Sequence, residues 1–280
     1  MLLGLIGRDI QRSRTPEMHM REGEAQGIRC VYRLLDLAVL KLRPEALPDL
    51  LSQAERLGYD GLNITHPCKT LVLEHLTEIA PEAAAIGAVN TVLLRGGKRI
   101  GHNTDASGFS AGFSRALADA PRRRVVLFGA GGAGAAVAHA ALGLGTGTLH
   151  IVDLEPGRAE SLAAALSARF GAGRALAATE AADAVAAADG IINATPVGMA
   201  AYPGLPLPQG LLRPDLWVAE IVYFPLETAL LATARALGCR TLDGSGMAVF
   251  QAVDAFRLFS GHEPDPARMR HTFEALGNAG

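Results

Sequence analysis

The glycines of "FGAGGAG", Gly129, Gly131 and Gly134, fit the pattern G-x-G-x-x-G and stand between an apolar strand-like run that begins at Val125 and a helical one. A turn of this kind binds phosphate. The first glycine makes the tight turn, the second lets backbone approach a pyrophosphate, the third lets helix and strand pack closely, and the helix N-terminus supplies N–H groups and positive dipole. Asp153 closes the next strand-like run, where a carboxylate can accept from both ribose hydroxyls. The plainer alternative is that the glycines only shape a turn and Asp153 caps a helix. Strand, turn, helix, strand and acid in that order favour a dinucleotide. A 2'-phosphate about 4 Å from a carboxylate is repelled by about 4 kcal/mol at an effective dielectric of about 20, or about a thousandfold in affinity. NAD is therefore expected over NADP. Arg158 is the counter-argument: it reaches a phosphate, stacks on adenine or lies on a solvated helix face, and no second arginine accompanies it. "NATPVGM", residues 193–199, follows a later apolar strand, at the sheet edge where a dinucleotide runs.

A nicotinamide enzyme that oxidises an alcohol needs a group to take the hydroxyl proton as hydride leaves. The 8 histidines form no HExxH or other metal-like spacing, so no metal is expected. Two polar clusters are better placed. In "NITHPCK", Asn63, Thr65 and Lys69 follow a β-rich run, and Pro67 sits where a helix can begin. "GAVNT" and "GHNTD" supply Asn90, Asn103, Thr104 and Asp105. Taken singly, Lys69 reads as a solvated lysine and Asp105 as a helix N-cap.

The elements that must position these residues alternate. The first third reads as an α/β unit with strand-like runs "LLGLIG", "CVYRLLDL", "YDGLNIT" and "AVNTVLL", and with helices over residues 17–26 and 46–57. "DASGFSAGFSRALADAP" places Phe109, Phe113 and Leu117 at helical spacing and stops before Pro121, as a helix leading into a new domain. Beyond it "RVVLFG", "TLHIVD", "DGIINAT", "LWVAEIVY" and "CRTLDG" alternate with Ala-rich helices, the pattern of a parallel, doubly wound sheet. The Ala-rich stretch 159–188 is expected to be helical, with Leu162, Leu166 and Phe170 as its stripe. After "DGSGM", the run Val249, Val253, Phe256, Phe259 marks a final long helix whose place is against the first domain. The fold expected is thus α/β with two domains. Residues 1–104 plus 249–280 form a substrate domain completed by C-terminal helices, and 105–248 a Rossmann-like dinucleotide-binding domain.

Composition narrows the partners. With 280 residues and 49% hydrophobic content each domain can bury its own core, and 26 basic against 28 acidic residues give no pull toward nucleic acid or membrane. Cys30, Cys68 and Cys239 form no CxxC pair, so neither a disulfide framework nor a zinc site is suggested, and a reducing cytoplasm fits. Residues 125–152 lack Asp, Glu, Lys and Arg and are long enough to cross a bilayer, but the glycines that break them are explained by turn chemistry. The expected partner is a small molecule, with a homodimer as the candidate assembly.

Together the motifs "RSRTPEMH", "NITHPCK", "GAVNT", "NTD", "GAGGAG", "NATPVGM" and "DGSGMAVFQA", in that order over essentially the whole chain, resemble the shikimate dehydrogenase family. The resemblance implies a cleft in which a cyclic polyol carboxylate meets nicotinamide. It implies that Lys69 is the catalytic lysine and Asp105 its partner. Burial lowers an amine's proton affinity and a nearby carboxylate raises it, so such a pair can pass a proton near neutral pH. Ser13 and Thr15 match the hydroxyls that hold the substrate carboxylate, and Thr65, Asn90 and Gln251 the groups on ring hydroxyls. Without the resemblance, Ser13 and Thr15 read as caps before a helix and Gln251 as an exposed helix position. On the cofactor side the resemblance marks Gly129, Ala130, Gly131, Gly132, Ala133, Gly134, Asp153, Arg158, Thr195, Pro196, Val197, Ile221, Gly244 and Met247.

Two departures from the commonest family pattern carry information. Ser13-Arg14-Thr15 stands where Ser-x-Ser is usual, and Asp153-Leu154-Glu155 where Asn-Arg-Thr and a later arginine clamp NADP. Both resemble the NAD-linked quinate/shikimate dehydrogenase branch, whose role is mainly catabolic. The expectation is oxidation of quinate or shikimate to 3-dehydroquinate or 3-dehydroshikimate with NADH formed. The rivals are an NADP-dependent biosynthetic shikimate dehydrogenase, a noncatalytic ligand-sensing regulator of the same fold, and a folate-linked dehydrogenase of similar architecture.

Overall fold

The computed structural model describes residues 1–277. Contacts divide the chain into two units, Met1–Ser107 with the segment from Val249 onward, and Gly108–Ala248. The division falls inside a helix, after Ser107 rather than before Asp105.

The first unit runs β1 (Leu2–Gly7), α1 (Thr15–Ala25), β2 (Val31–Asp36), α2 (Leu47–Arg56), β3 (Gly61–Ile64), α3 (Cys68–Leu71), β4 (Glu78–Ile79), α4 (Pro81–Ile86), β5 (Thr91–Arg95), β6 (Lys98–His102) and the start of α5 (Asp105–Ala116). Its sheet has the order β2-β1-β3-β5-β6-β4; β1 is parallel to β2 and β3, whereas β5 is antiparallel to both β3 and β6. Apolar side chains cover both faces, so β1 reads as a nearly unbroken hydrophobic run. Ile6, Leu62 and Val92 pack with Leu47, Leu50 and Leu51 of α2, while Leu3 and Leu5 pack with Phe259.

The second unit runs β7 (Arg124–Phe128), α6 (Gly132–Gly143), β8 (Thr148–Val152), α7 (Pro156–Phe170), β9 (Ala175–Ala177), α8 (Ala181–Ala186), β10 (Gly190–Asn193), β11 (Trp217–Glu220), α9 (Ala229–Ala236) and β12 (Arg240–Leu242). The chain closes with α10 (Ser245–Ser260) and α11 (Pro266–Gly277). The second sheet is wholly parallel, in the order β12-β11-β10-β7-β8-β9. The strand order reverses between β7 and β10, the switch point at which such sheets bind ligands outside their carboxyl ends.

Some expectations need correction. The stretch 159–188 is not helical throughout, because β9 interrupts it and extends the sheet beyond β8. The expected final helix is followed by another, α11, which the buried Glu22 of α1 holds through Arg268 Nε and Nη2, both at 2.7 Å. β4 and β6 escaped notice because their residues are mostly polar or exposed. Among the described residues no helix is long and apolar enough to cross a membrane, and no cluster of His, Cys, Asp and Glu could hold a metal ion.

Candidate active site

The C-terminal ends of β1 and β3 and the N-terminal end of the antiparallel β5 share one edge of the first sheet. Ser13 and Thr15 follow β1, Thr65 follows β3, Asn90 precedes β5, and Asp105 comes shortly after β6. A Cβ on Gly7 would lie 2.2 Å from Thr65 Cγ2, so this glycine lets Thr65 stand over the exit of β1. Pro67, which follows a cis peptide, lies just before α3 rather than inside it. Lys69 sits on this short helix, and its carbonyl accepts from Val89 N at 2.8 Å, which ties the helix to the segment before Asn90.

Lys69 Nζ donates to Asp105 Oδ2 at 2.5 Å; the lysine side chain is 14% exposed and the aspartate 5%. Asp105 Oδ1 accepts from Asn90 Nδ2 at 2.9 Å, and the same nitrogen donates to Thr104 Oγ1 at 2.9 Å. Asn90 Oδ1 in turn accepts from Thr104 N at 2.8 Å and Thr91 Oγ1 at 3.0 Å. Behind it, Asn63 Nδ2 donates to Thr91 Oγ1 at 3.1 Å, and Tyr32 Oη donates to Asn63 Oδ1 at 2.7 Å. A continuous chain of hydrogen bonds thus runs from Tyr32 to Lys69. Because the groups along it are mostly buried, displacing one leaves its neighbours unsatisfied, which fixes the geometry. Asp105 is not the N-cap of α5. Asn103 does that work, its Oδ1 accepting from Asp105 N at 3.0 Å and Ala106 N at 3.3 Å, and the aspartate is left for Lys69.

Ser13 Oγ accepts from Thr15 N at 3.3 Å, and Thr15 is buried at the start of α1, which has no side-chain cap. Ser13 Oγ thus accepts from the first N–H of α1 but keeps its own O–H to donate, and the Thr15 hydroxyl takes no part in capping. Gln251 lies half-buried on α10, a turn before Asp254, whose Oδ2 accepts from Ser107 Oγ at 2.5 Å.

The second unit builds its site mainly from backbone. Gly129 has φ of +100°, and a Cβ there would meet Ala194 O at 2.8 Å. A Cβ on Gly134 would meet Gly129 O at 2.0 Å. Beside Gly131 nothing lies within 4 Å of the place a Cβ would take, and α6 has no side-chain cap, so no capping side chain takes its first N–H groups, at Gly132, Ala133 and Gly134. Open space at an uncapped helix N-terminus fits a pyrophosphate. Asp153 Oδ2 accepts from Ala130 N at 2.7 Å and Oδ1 from Glu155 N at 2.9 Å. Each oxygen keeps a further lone pair for a ribose hydroxyl. A surface cavity of about 670 Å³ opens beside it, lined by Ala130, Leu154, Pro156, Arg158 and Leu162 among others. Arg158 pairs with Glu155 at 2.9 Å, both more than half exposed.

After β10, Thr195 donates from N and Oγ1 to Asn193 Oδ1 at 3.0 and 2.7 Å, and Val197 N donates to Thr195 Oγ1 at 3.2 Å; Pro196 between them is exposed. A Cβ on Gly244 would lie 2.6 Å from Ile221 O, so these two expected cofactor residues are neighbours. Met247 is half-buried on the first turn of α10.

Sequence reasoning passed over Tyr32 and Thr91 as members of the first network, and Glu220 altogether. Glu220 ends β11 with 1% of its surface exposed, and burial pushes its carboxyl up to about 7 against the hydrogen bonds it receives. The available signal was a polar residue in an otherwise apolar strand, as with Asn63 in "GLNI" and Glu220 in "WVAE".

Three family models match the chain: the shikimate dehydrogenase substrate binding domain over residues 5–92, the alanine dehydrogenase/PNT C-terminal domain over 103–209 and the shikimate 5'-dehydrogenase C-terminal domain over 244–272. A Streptomyces avermitilis protein named shikimate dehydrogenase (NADP(+)) is 60% identical over 96% of this chain and 93% of its own length. A Corynebacterium efficiens protein named quinate/shikimate dehydrogenase (NAD(+)) is 51% identical over 99% and 98%. The structure of quinate dehydrogenase from Corynebacterium glutamicum in complex with NAD aligns with a TM-score of 0.89 at 48% identity, over 98% of this chain and 99% of that one.

Proposed function

The chain belongs to the shikimate dehydrogenase family, and on that premise we propose that it oxidises quinate or shikimate at a ring hydroxyl, with NAD as hydride acceptor and Lys69 as proton acceptor. The observation that carries this reading is the Lys69–Asp105 pair, 2.5 Å long and held from behind by Asn90. NAD, when bound, accepts the hydride from the ring carbon. The Gly-rich turn from Gly129 to Gly134, Asp153, residues 195–197, Ile221, Gly244 and Met247 are the groups that would hold it. In its deprotonated form Lys69 Nζ takes the hydroxyl proton as the carbonyl forms, and the resulting ammonium stays paired with Asp105 Oδ2. Asn90 keeps Asp105 from turning away. Thr65, Asn90 and Gln251 hold the ring hydroxyls, and Ser13 and Thr15 the carboxylate. Buried polar groups of this kind discriminate against ring analogues that lack a hydroxyl, because they would be left unpaired.

Asp153 supports NAD through repulsion of a 2'-phosphate, and Glu155 adds to it by engaging Arg158. The rival reading, an NADP-dependent biosynthetic enzyme, is favoured by the name of the Streptomyces relative. Initial rates for quinate and for shikimate, each with NAD and with NADP, test the proposal. NADH formation from both polyols, faster than NADPH formation, is expected. Faster turnover with NADP moves the function to the rival. Turnover with no pair, alongside measurable binding of both ligands, favours a ligand-sensing protein of the same fold.

A further inference from the structure

Glu220 is a buried carboxylate that the reaction does not use. Oε1 accepts from Asn193 Nδ2 and from Val222 N, each at 3.0 Å, and Oε2 from Asn193 Nδ2 at 3.0 Å and Thr228 Oγ1 at 3.2 Å. These donors come from different segments: the end of β10, the exit of β11 and the start of α9. Asn193 passes the constraint on, since its Nδ2 also donates to Val197 O at 2.9 Å and its Oδ1 holds Thr195. Val222 does the same on its own side, because a Cβ on Gly244 would lie 2.5 Å from Val222 O. An apolar residue could fill this place without the cost of burying a carboxyl, so the group is there for the bonds it accepts.

We propose that Glu220 is a positioning residue that, through Asn193 and Val222, fixes residues 195–197 and Ile221 in the arrangement that the dinucleotide requires. The inference rests on the reading of these residues as cofactor-binding.

Binding of NADH, measured by fluorescence titration without turnover, tests it in the full-length protein. Glu220→Ala should weaken NADH binding and raise the dinucleotide KM by about tenfold, while the quinate and shikimate KM values stay within about twofold. Glu220→Gln keeps an acceptor for Asn193 and Val222 and should recover most of the loss. Asn193→Asp, which removes the donor but keeps the size, should weaken binding as Glu220→Ala does; it carries the test if Glu220→Ala does not fold. NADH binding by Glu220→Ala or Asn193→Asp at the strength of the unaltered protein overturns the inference and leaves the function standing. So does equal loss in Glu220→Ala and Glu220→Gln, because the accepted bonds would then not matter. Failure of the unaltered protein to bind either NADH or NADPH overturns the functional reading, and the inference with it.

Discussion

The two units hold their functional groups by opposite means. In the first, side chains hold side chains: Tyr32, Asn63, Thr91, Asn90 and Thr104 form a network that ends on Asp105 and Lys69. In the second, the main feature is backbone brought close by missing side chains, at Gly129, Gly134 and Gly244. The ion pairs show the same contrast. Lys69–Asp105 is 14% and 5% exposed, whereas Arg158–Glu155 is 57% and 65% exposed. A buried pair is strongly constrained by its surroundings, and an exposed pair is worth about 0–1 kcal/mol. The lesson is that the first unit fixes its polar groups by side-chain identity and burial, whereas the second leaves its charged pair beside Asp153 exposed to solvent.

The comparison can be broken at its strongest point. Lys69→Ala should lower kcat by about two to four orders of magnitude, the range for loss of a positioned acid–base group, with much smaller change in polyol affinity. Near-normal kcat in steady-state kinetics would remove Lys69 from its role. The next effect belongs to the second unit. Asp153→Asn keeps an acceptor for Ala130 N and removes the charge, so NADP affinity should rise by up to about a hundredfold relative to NAD. Titrations of both dinucleotides that leave the ratio unchanged would show that Asp153 does not set the preference.

A further test concerns what each unit buries. His19 of α1 is wholly buried, with neither ring nitrogen hydrogen-bonded, stacked on Tyr32 at 5.3 Å and Phe256 at 5.8 Å. Burial pushes its imidazole down from 6.5 to about 3, against the pull of Glu22. The folded form therefore binds fewer protons than the unfolded chain. Its contribution is complete above pH 6.5 and is lost as pH falls toward 3, about 2 kcal/mol by pH 5. Glu220 slopes the other way: raised from 4.5 to about 7, it contributes fully below pH 4.5 and loses that contribution as pH rises through 7. His19→Phe should flatten the acid side of a denaturation series between pH 6.5 and 4.5 while leaving the neutral side as it was. An unchanged acid slope would place the acid sensitivity elsewhere. The smallest effect is expected at the exposed pair. Glu155→Gln should improve NADP binding by no more than about fivefold, and the gain should shrink in high salt. A larger, salt-resistant gain would mean that the pair is not a weak surface contact.

The legibility of the chain followed the same division. The Gly-rich turn was readable because its glycines stand at a fixed spacing where strand, turn and helix are contiguous in sequence. The second sheet was readable for the same reason, except where β9 hid in an Ala-rich stretch whose residues favour helix. Lys69 and Asp105 could be named as candidates, yet on their own they read as a solvated lysine and a helix cap. Motif order paired them. Glu220 gave no local sign beyond its place in an apolar strand, because all that marks it is what surrounds it.

The sequence by itself determined the alternation of elements, the parallel second sheet, the glycine-rich turn between strand and helix and the carboxylate that follows it, since these depend on periodicity and on residues near in the chain. Only the tertiary structure decided that Asn103 rather than Asp105 caps α5, that β5 runs antiparallel to both β3 and β6, and that Tyr32 and Glu220 sit within buried hydrogen-bond networks. Capping by Asn103 leaves the carboxylate of Asp105 to Lys69 and Asn90, and Lys69, Asn90 and Asp105 meet because strands distant in sequence end at one sheet edge. A hydrogen bond is set by distance and direction in space, and those are fixed only when the strands have packed.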